Sequence, residues 1–92
     1  MIKNPVGIDF SRKFDKELKK APLEIKIAFR QRLNLFVQDQ FYLTLNNHAL
    51  TGKYKGYRSI NITGDWRAIY TVSKINNKII FETIGTHSQL YK

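Results

Sequence analysis

The stretch NHALTGKYKGYRSINITGDWRAIYTVSKINNKIIFETIGTHSQLYK, Asn47 to Lys92, decides the fold. Three runs rich in β-branched and aromatic residues lie inside it, Tyr57 to Thr63, Trp66 to Val72 and Ile79 to Gly85, separated by short polar turns, as strands joined by hairpins are. Side chains alternate across a strand, so Ile60 and Ile62 share one face and Tyr57, Ser59 and Asn61 the other. The isoleucine face is expected to be core and the opposite face wet. Gly64, beside Asp65, is expected to supply the positive φ of the first tight turn, and Asn76 with Asn77 marks the second in the same way. The three strands read as an antiparallel meander.

Upstream of this stretch, Phe41, Tyr42, Leu43 and Leu45 are apolar but bounded by Asn46 and Asn47, which predicts a loop or short turn packed on the core. Before it the period changes to that of a helix. Ile25, Phe29, Leu33, Phe36 and Val37 form an apolar stripe ending near Asp39, and Phe14, Leu18 and Ala21 form another behind Ser11, a good N-cap. Pro22 stops the first helix and opens the second. Val6 to Phe10 alternates like a half-buried strand, expected at a sheet edge. The predicted class is α+β: a small antiparallel sheet of about four strands with an N-terminal helical hairpin packed on one face.

At 92 residues the chain is expected to be one domain, 1–92, and its 42% hydrophobic content suffices for a packed core. No apolar run is long enough for a membrane helix, and the start MIKNPVGIDF lacks the features of a signal peptide, so a cytoplasmic protein without membrane contact is expected. The absence of Cys removes disulfides, thiolate metal sites and Cys nucleophiles. Sixteen Lys plus Arg against seven Asp plus Glu give a formal charge of +9, which favours a polyanionic partner. Lys26, Arg30 and Arg32, with the lysines of the first helix, read either as a solvated face or as a track for a phosphate backbone.

His48 and His87 are the side chains whose unperturbed pKa lies near neutrality. Each sits at an end of the strand region, among Asn, Thr and Ser. Two distant histidines fall short of a metal ligand set, and no Ser stands in a nucleophile elbow, so neither a metal nor a cofactor is expected. Asp65 reads as a turn former, and Trp66 and Tyr91 read equally as core. Placed among Lys53, Lys55, Arg58 and Arg67, however, those aromatics make the combination that stacks bases and holds phosphates of single-stranded RNA.

The run HALTGKYKGYRSINITGDWRAIY, His48 to Tyr70, followed by IGTHSQLY, Ile84 to Tyr91, and opened by IDFSRKFDKELKKA, resembles the YafQ branch of the RelE/ParE superfamily of type II toxin-antitoxin toxins. That resemblance implies a compact microbial-RNase-like fold and a ribosome-dependent, metal-independent mRNA endonuclease. It also implies an acidic cognate antitoxin as partner alongside ribosome and mRNA, the free toxin being monomeric and the complex hetero-oligomeric. The family's catalytic positions carry over to His48, Asp65, Trp66 and His87, and its terminal aromatic to Tyr91; catalysis is expected of His48, Asp65 and His87, and RNA binding of Lys53, Lys55, Arg58, Asn61, Trp66, Arg67 and Tyr91. The expected division of labour makes His48 the base, oriented by Asp65, and His87 the acid, with the two histidines interchangeable. Where the family often carries an Asp and a second His, this chain has Ser59 and Asn61. The competing expectation is a ParE-type toxin that binds DNA gyrase without cutting RNA.

Overall fold

The computed structural model describes residues 7–91. Strand β1 (Ile8–Phe10) leads into helices α1 (Arg12–Lys20) and α2 (Leu23–Gln38), then a 3-10 turn at Leu43–Leu45 and the short strand β2 (His48–Ala49). A second 3-10 turn, Gly52–Tyr54, precedes β3 (Arg58–Asn61), β4 (Trp66–Val72), β5 (Ile79–Thr86) and the closing turn of helix α3 (His87–Leu90). Val6, expected to start the first strand, lies outside the described residues.

The meander of β3, β4 and β5 forms as expected, and the sheet is larger and mixed: five strands in the order β1-β5-β4-β3-β2, with β1 parallel to β5. Periodicity marks a strand but not its direction, and a two-residue edge strand such as β2 has no period to read, so the all-antiparallel, four-stranded expectation is corrected on both counts. β1 pairs Ile8 with Ile79 and Phe10 with Phe81. Ser11 then ties the start of α1 to β5: its N–H donates to the Phe81 carbonyl at 2.9 Å and its hydroxyl to the Glu82 carbonyl at 2.8 Å. The same hydroxyl oxygen accepts from the Phe14 N–H at 2.9 Å, which makes Ser11 the predicted N-cap.

Both helices press their apolar stripes on one sheet face. Phe14, Ile25, Phe29, Phe36, Ile60, Ile62, Ala68, Tyr70 and Phe81 are buried there. Phe81 is the meeting point: its ring centroid lies 5.5–5.7 Å from those of Phe10, Phe14, Phe29, Phe36 and Tyr70. Val37, placed in the core stripe by its spacing, is half out in solvent, because α2 reaches the edge of the sheet there. In the segment before β2 only Leu45 is buried, while Phe41, Tyr42 and Leu43 are exposed, which corrects the expectation that the whole apolar run packs inward.

The turns differ in their detail. Positive φ falls at Gly52 (66°) and Gly56 (94°), which bracket the basic loop, and at Asn46 (48°) and Asn77 (60°), not at Gly64. The Gly64 turn is instead closed by the Thr63 hydroxyl, which accepts from the N–H groups of Asp65 and Trp66 at 3.4 and 3.2 Å. Between β4 and β5 the register pairs Tyr70 with Phe81 but Ile69 with Thr83, leaving Glu82 as a bulge. Core-facing positions therefore pass from Phe81 to Ile84, and Thr83 turns with Ile69 to the opposite face.

Truncation of Phe81 to Ala removes the ring on which five others converge and should destabilise the fold by about 3–5 kcal/mol. Urea unfolding followed by circular dichroism measures this; a loss under about 1 kcal/mol would show that the aromatic cluster closes around the gap.

Candidate active site

The sheet face away from the helices carries the polar residues that the sequence singled out. Its register places His48, Ser59, Ile69 and Thr83 in one row across β2, β3, β4 and β5, and Asn61, Arg67 and Gly85 in the next. Directly opposed residues in antiparallel strands share a face, so each row is a line of neighbouring side chains. Ser59, expected to be wet, is fully buried, and neither its Oγ nor the buried Oδ1 of Asn61 has a hydrogen-bond partner among the described residues. Buried polar atoms are normally paired, so these two stand out on this face.

His48 stands exposed at the β2 rim of this face. Its Nδ1 lies 2.8 Å from the carbonyl oxygen of Asn46. That contact favours the tautomer protonated at Nδ1 and leaves Nε2 with a lone pair. Asn46 adopts the left-handed conformation that Asn tolerates better than most residues, and so turns its carbonyl back on the ring. The next residue anchors the loop: Asn47 Nδ2 donates to the Gln40 carbonyl at 3.0 Å and to the Tyr70 hydroxyl at 2.8 Å, while its Oδ1 accepts from Arg58 Nε at 2.8 Å. Burial pushes the Tyr70 hydroxyl above its ordinary pKa, against the smaller opposing effects of Asn47 and Arg58, so it stays protonated.

Asp65, expected to orient His48, is placed elsewhere. Its carbonyl accepts from the His87 backbone N–H at 3.0 Å, so the β3–β4 turn holds the start of α3, and the partner of the His48 ring is Asn46. His87 is exposed, with its ring 4.7 Å from that of Tyr91, which in turn meets Tyr54 edge-on at 5.8 Å. The α3 turn is fixed by a capping box: the Thr86 hydroxyl accepts from Gln89 N–H, and Gln89 Oε1 accepts from Thr86 N–H. Gly85 allows this close return, since a Cβ there would lie 2.9 Å from Gln89 Oε1.

The predicted cations divide. Arg67 lies beside Asn61 on the polar face, but its Nη1 donates to the carbonyls of Thr63, Gly64 and Trp66 at 3.1–3.2 Å, so it also holds the turn. Arg58 pairs with Tyr70, on the helix side of the sheet, and lies over the Phe41 ring at 5.4 Å; the structure does not bring it to the polar face. Alternation along β3 is the reason, because Arg58 and Ser59 are adjacent. Lys53 and Lys55 are exposed on the basic loop. Trp66 is half-buried against the core. Sequence reasoning missed Asn46 and Asn47, whose only signal was their position immediately before a histidine.

The family model described as the bacterial toxin of type II toxin-antitoxin systems, YafQ, matches residues 6–92. The mRNA interferase toxin YafQ of Escherichia coli K12 is 30% identical over 89 residues, covering 91% of this chain and 94% of that protein. The crystal structure of a YafQ mutant from E. coli superimposes with a TM-score of 0.78 at 25% identity, over 96% of this chain and 100% of the other. YafQ in the E. coli DinJ-YafQ toxin-antitoxin complex gives 0.73 at 27% identity, over 92% and 96%. The match over residues 6–92 and the 30% identity along nearly the whole of both chains show that the chain belongs to the YafQ family of bacterial type II toxin-antitoxin toxins.

Proposed function

We propose that this chain is an mRNA endonuclease toxin that cuts translated message on the ribosome and is held inactive by an acidic antitoxin. The observation that carries the chemistry is the pair of exposed imidazoles, His48 in line with Ser59 across the sheet and His87 at the start of α3, together with the unpartnered Ser59 Oγ and Asn61 Oδ1 of β3.

In this reading His48 Nε2 takes the proton of the ribose 2′-OH, whose oxygen attacks the adjacent phosphorus. The bond to the 5′-oxygen breaks, and His87 gives that oxygen its proton. The products are a 2′,3′-cyclic phosphate and a 5′-OH. Each such proton transfer typically contributes about 10² to 10⁴ in rate. Ser59 and Asn61 replace groups that titrate with groups that do not, so binding and orientation fall to them and proton transfer to the histidines. The N–H groups of Arg67 not held by the turn face the charge that develops on phosphorus. The scheme asks nothing of a metal, and among the described residues no three His, Asp or Glu side chains cluster closely enough to hold one.

Induction of the protein in a bacterium, followed by mapping of RNA 5′ ends, is expected to reveal new 5′-OH ends inside reading frames; intact message with gyrase-dependent DNA damage would replace this reading by the ParE-type one. His87→Gln keeps a planar polar side chain but delivers no proton near neutral pH, and should slow single-turnover cleavage of ribosome-bound message by about 10² or more without unfolding the protein. Asn47→Ala frees the loop that aims the His48 ring. It should lower the rate of the cleavage step by about tenfold at unchanged ribosome affinity, and an unaltered rate in the folded variant would remove Asn47 from the machinery.

A further inference from the structure

Beside the polar face lies a second concavity of about 440 Å³, framed by α1, the Gly52–Tyr54 turn and α3. Its rim carries Lys13 and Lys20 from α1 and Lys53 from the turn; Tyr54 and Trp66 wall it, and Leu90 closes the end. Glu17, within it, is already engaged: its Oε1 accepts from the Thr83 hydroxyl at 2.7 Å and the Ile84 N–H at 3.0 Å. Among the described residues the one ion pair is Lys78 with Asp9, so none of the three rim lysines is neutralised. Burial, with smaller contributions from Tyr91, Glu17 and Glu82, raises the Tyr54 pKa, which keeps its hydroxyl a donor. Edge-on contacts with Tyr57 and Tyr91 hold its ring.

We propose that this cavity is a nucleotide subsite, which takes the nucleotide on the 5′-OH side of the cut, its base against the Tyr54 and Trp66 walls and its phosphate on the three lysines. The placing relative to the cut rests on the reading in which His87 protonates the leaving 5′-oxygen: His87 and the cavity share α3, and Tyr91 touches both His87 and Tyr54. Two aromatic walls, an apolar end and cations drawn from two separate elements suit a planar base joined to a phosphate. An acidic peptide would be served by the lysines alone and has no use for the aromatic slot.

The test is the salt dependence of binding to a short single strand of 2′-O-methyl RNA, which offers no 2′-OH to attack, read by fluorescence anisotropy. Lys13→Ala with Lys20→Ala should weaken binding about tenfold and lower the slope of log affinity against log salt by about 0.7 for each phosphate no longer neutralised. Lys19→Ala with Lys74→Ala removes the same charge outside the cavity and should leave that slope unchanged. Ala21→Trp fills the cavity without altering charge and should weaken binding as much; Lys53→Glu serves where the tryptophan variant fails to fold. Equal weakening by the two lysine pairs would reduce the cavity to part of a diffuse basic surface and overturn the subsite. Cleavage of ribosome-bound message, measured in parallel, separates the two readings. A parent protein that cuts while every cavity variant binds and cuts like it refutes the subsite and leaves the proposed function standing. A parent that cuts nothing, with binding still weakened through Lys13 and Lys20, refutes the function and with it the nucleotide's place beside the cut.

Discussion

The Phe81 side chain is the contact on which the rest of the structure depends. It comes from the strand that lies between β1 and β4, and it receives a ring from β1, from each helix and from β4. Aromatic pairs at such distances add to the stabilisation already given by burial. The same strand position anchors Ser11, so the aromatic contact and the start of α1 are set together. This cluster fixes the helical hairpin to one face of the sheet.

What the opposite face becomes follows from two local irregularities. The bulge at Glu82 turns Thr83 away from the core and toward Glu17, whose carboxylate closes the stretch of β5 that β1 is too short to cover. An exposed strand edge invites pairing with another chain, and capping its N–H groups with Glu17 and Gln89 side chains blunts it. At the other rim, left-handed Asn46 and the thrice-bonded Asn47 stand where a two-residue strand could not hold a histidine by ladder bonds alone. A left-handed residue thus stands beside His48, and side-chain bonds hold the backbone beside both histidines.

Charge completes the picture. With +9 on 92 residues, the free protein repels itself and attracts polyanions over long range. Its carboxylates are few, and among the described residues only Asp9 forms an ion pair. The cations on helices, loop and cavity rim are thus left without carboxylate partners among the described residues.

The sequence by itself determined the class of fold and singled out the two histidines. Alternation at Ile60 and Ile62, helical spacing from Phe14 to Phe36, the Ser11 cap and the Pro22 break are local signals, and local physics suffices to read them. His48 and His87 were visible because histidine is the side-chain type whose unperturbed pKa lies near neutrality. Tertiary structure alone decided the rest. Strand direction and the two-residue β2 carry no periodic signature. The exposure of Val37 and Leu43 depends on where the sheet ends. Ser59 is buried and Arg58 lies on the helix side because the register of β3 sets the faces of both. Asp65 meets His87 instead of His48 because β4 pairs with β5, bringing together residues far apart in sequence, and periodicity within single segments holds no information about such pairs.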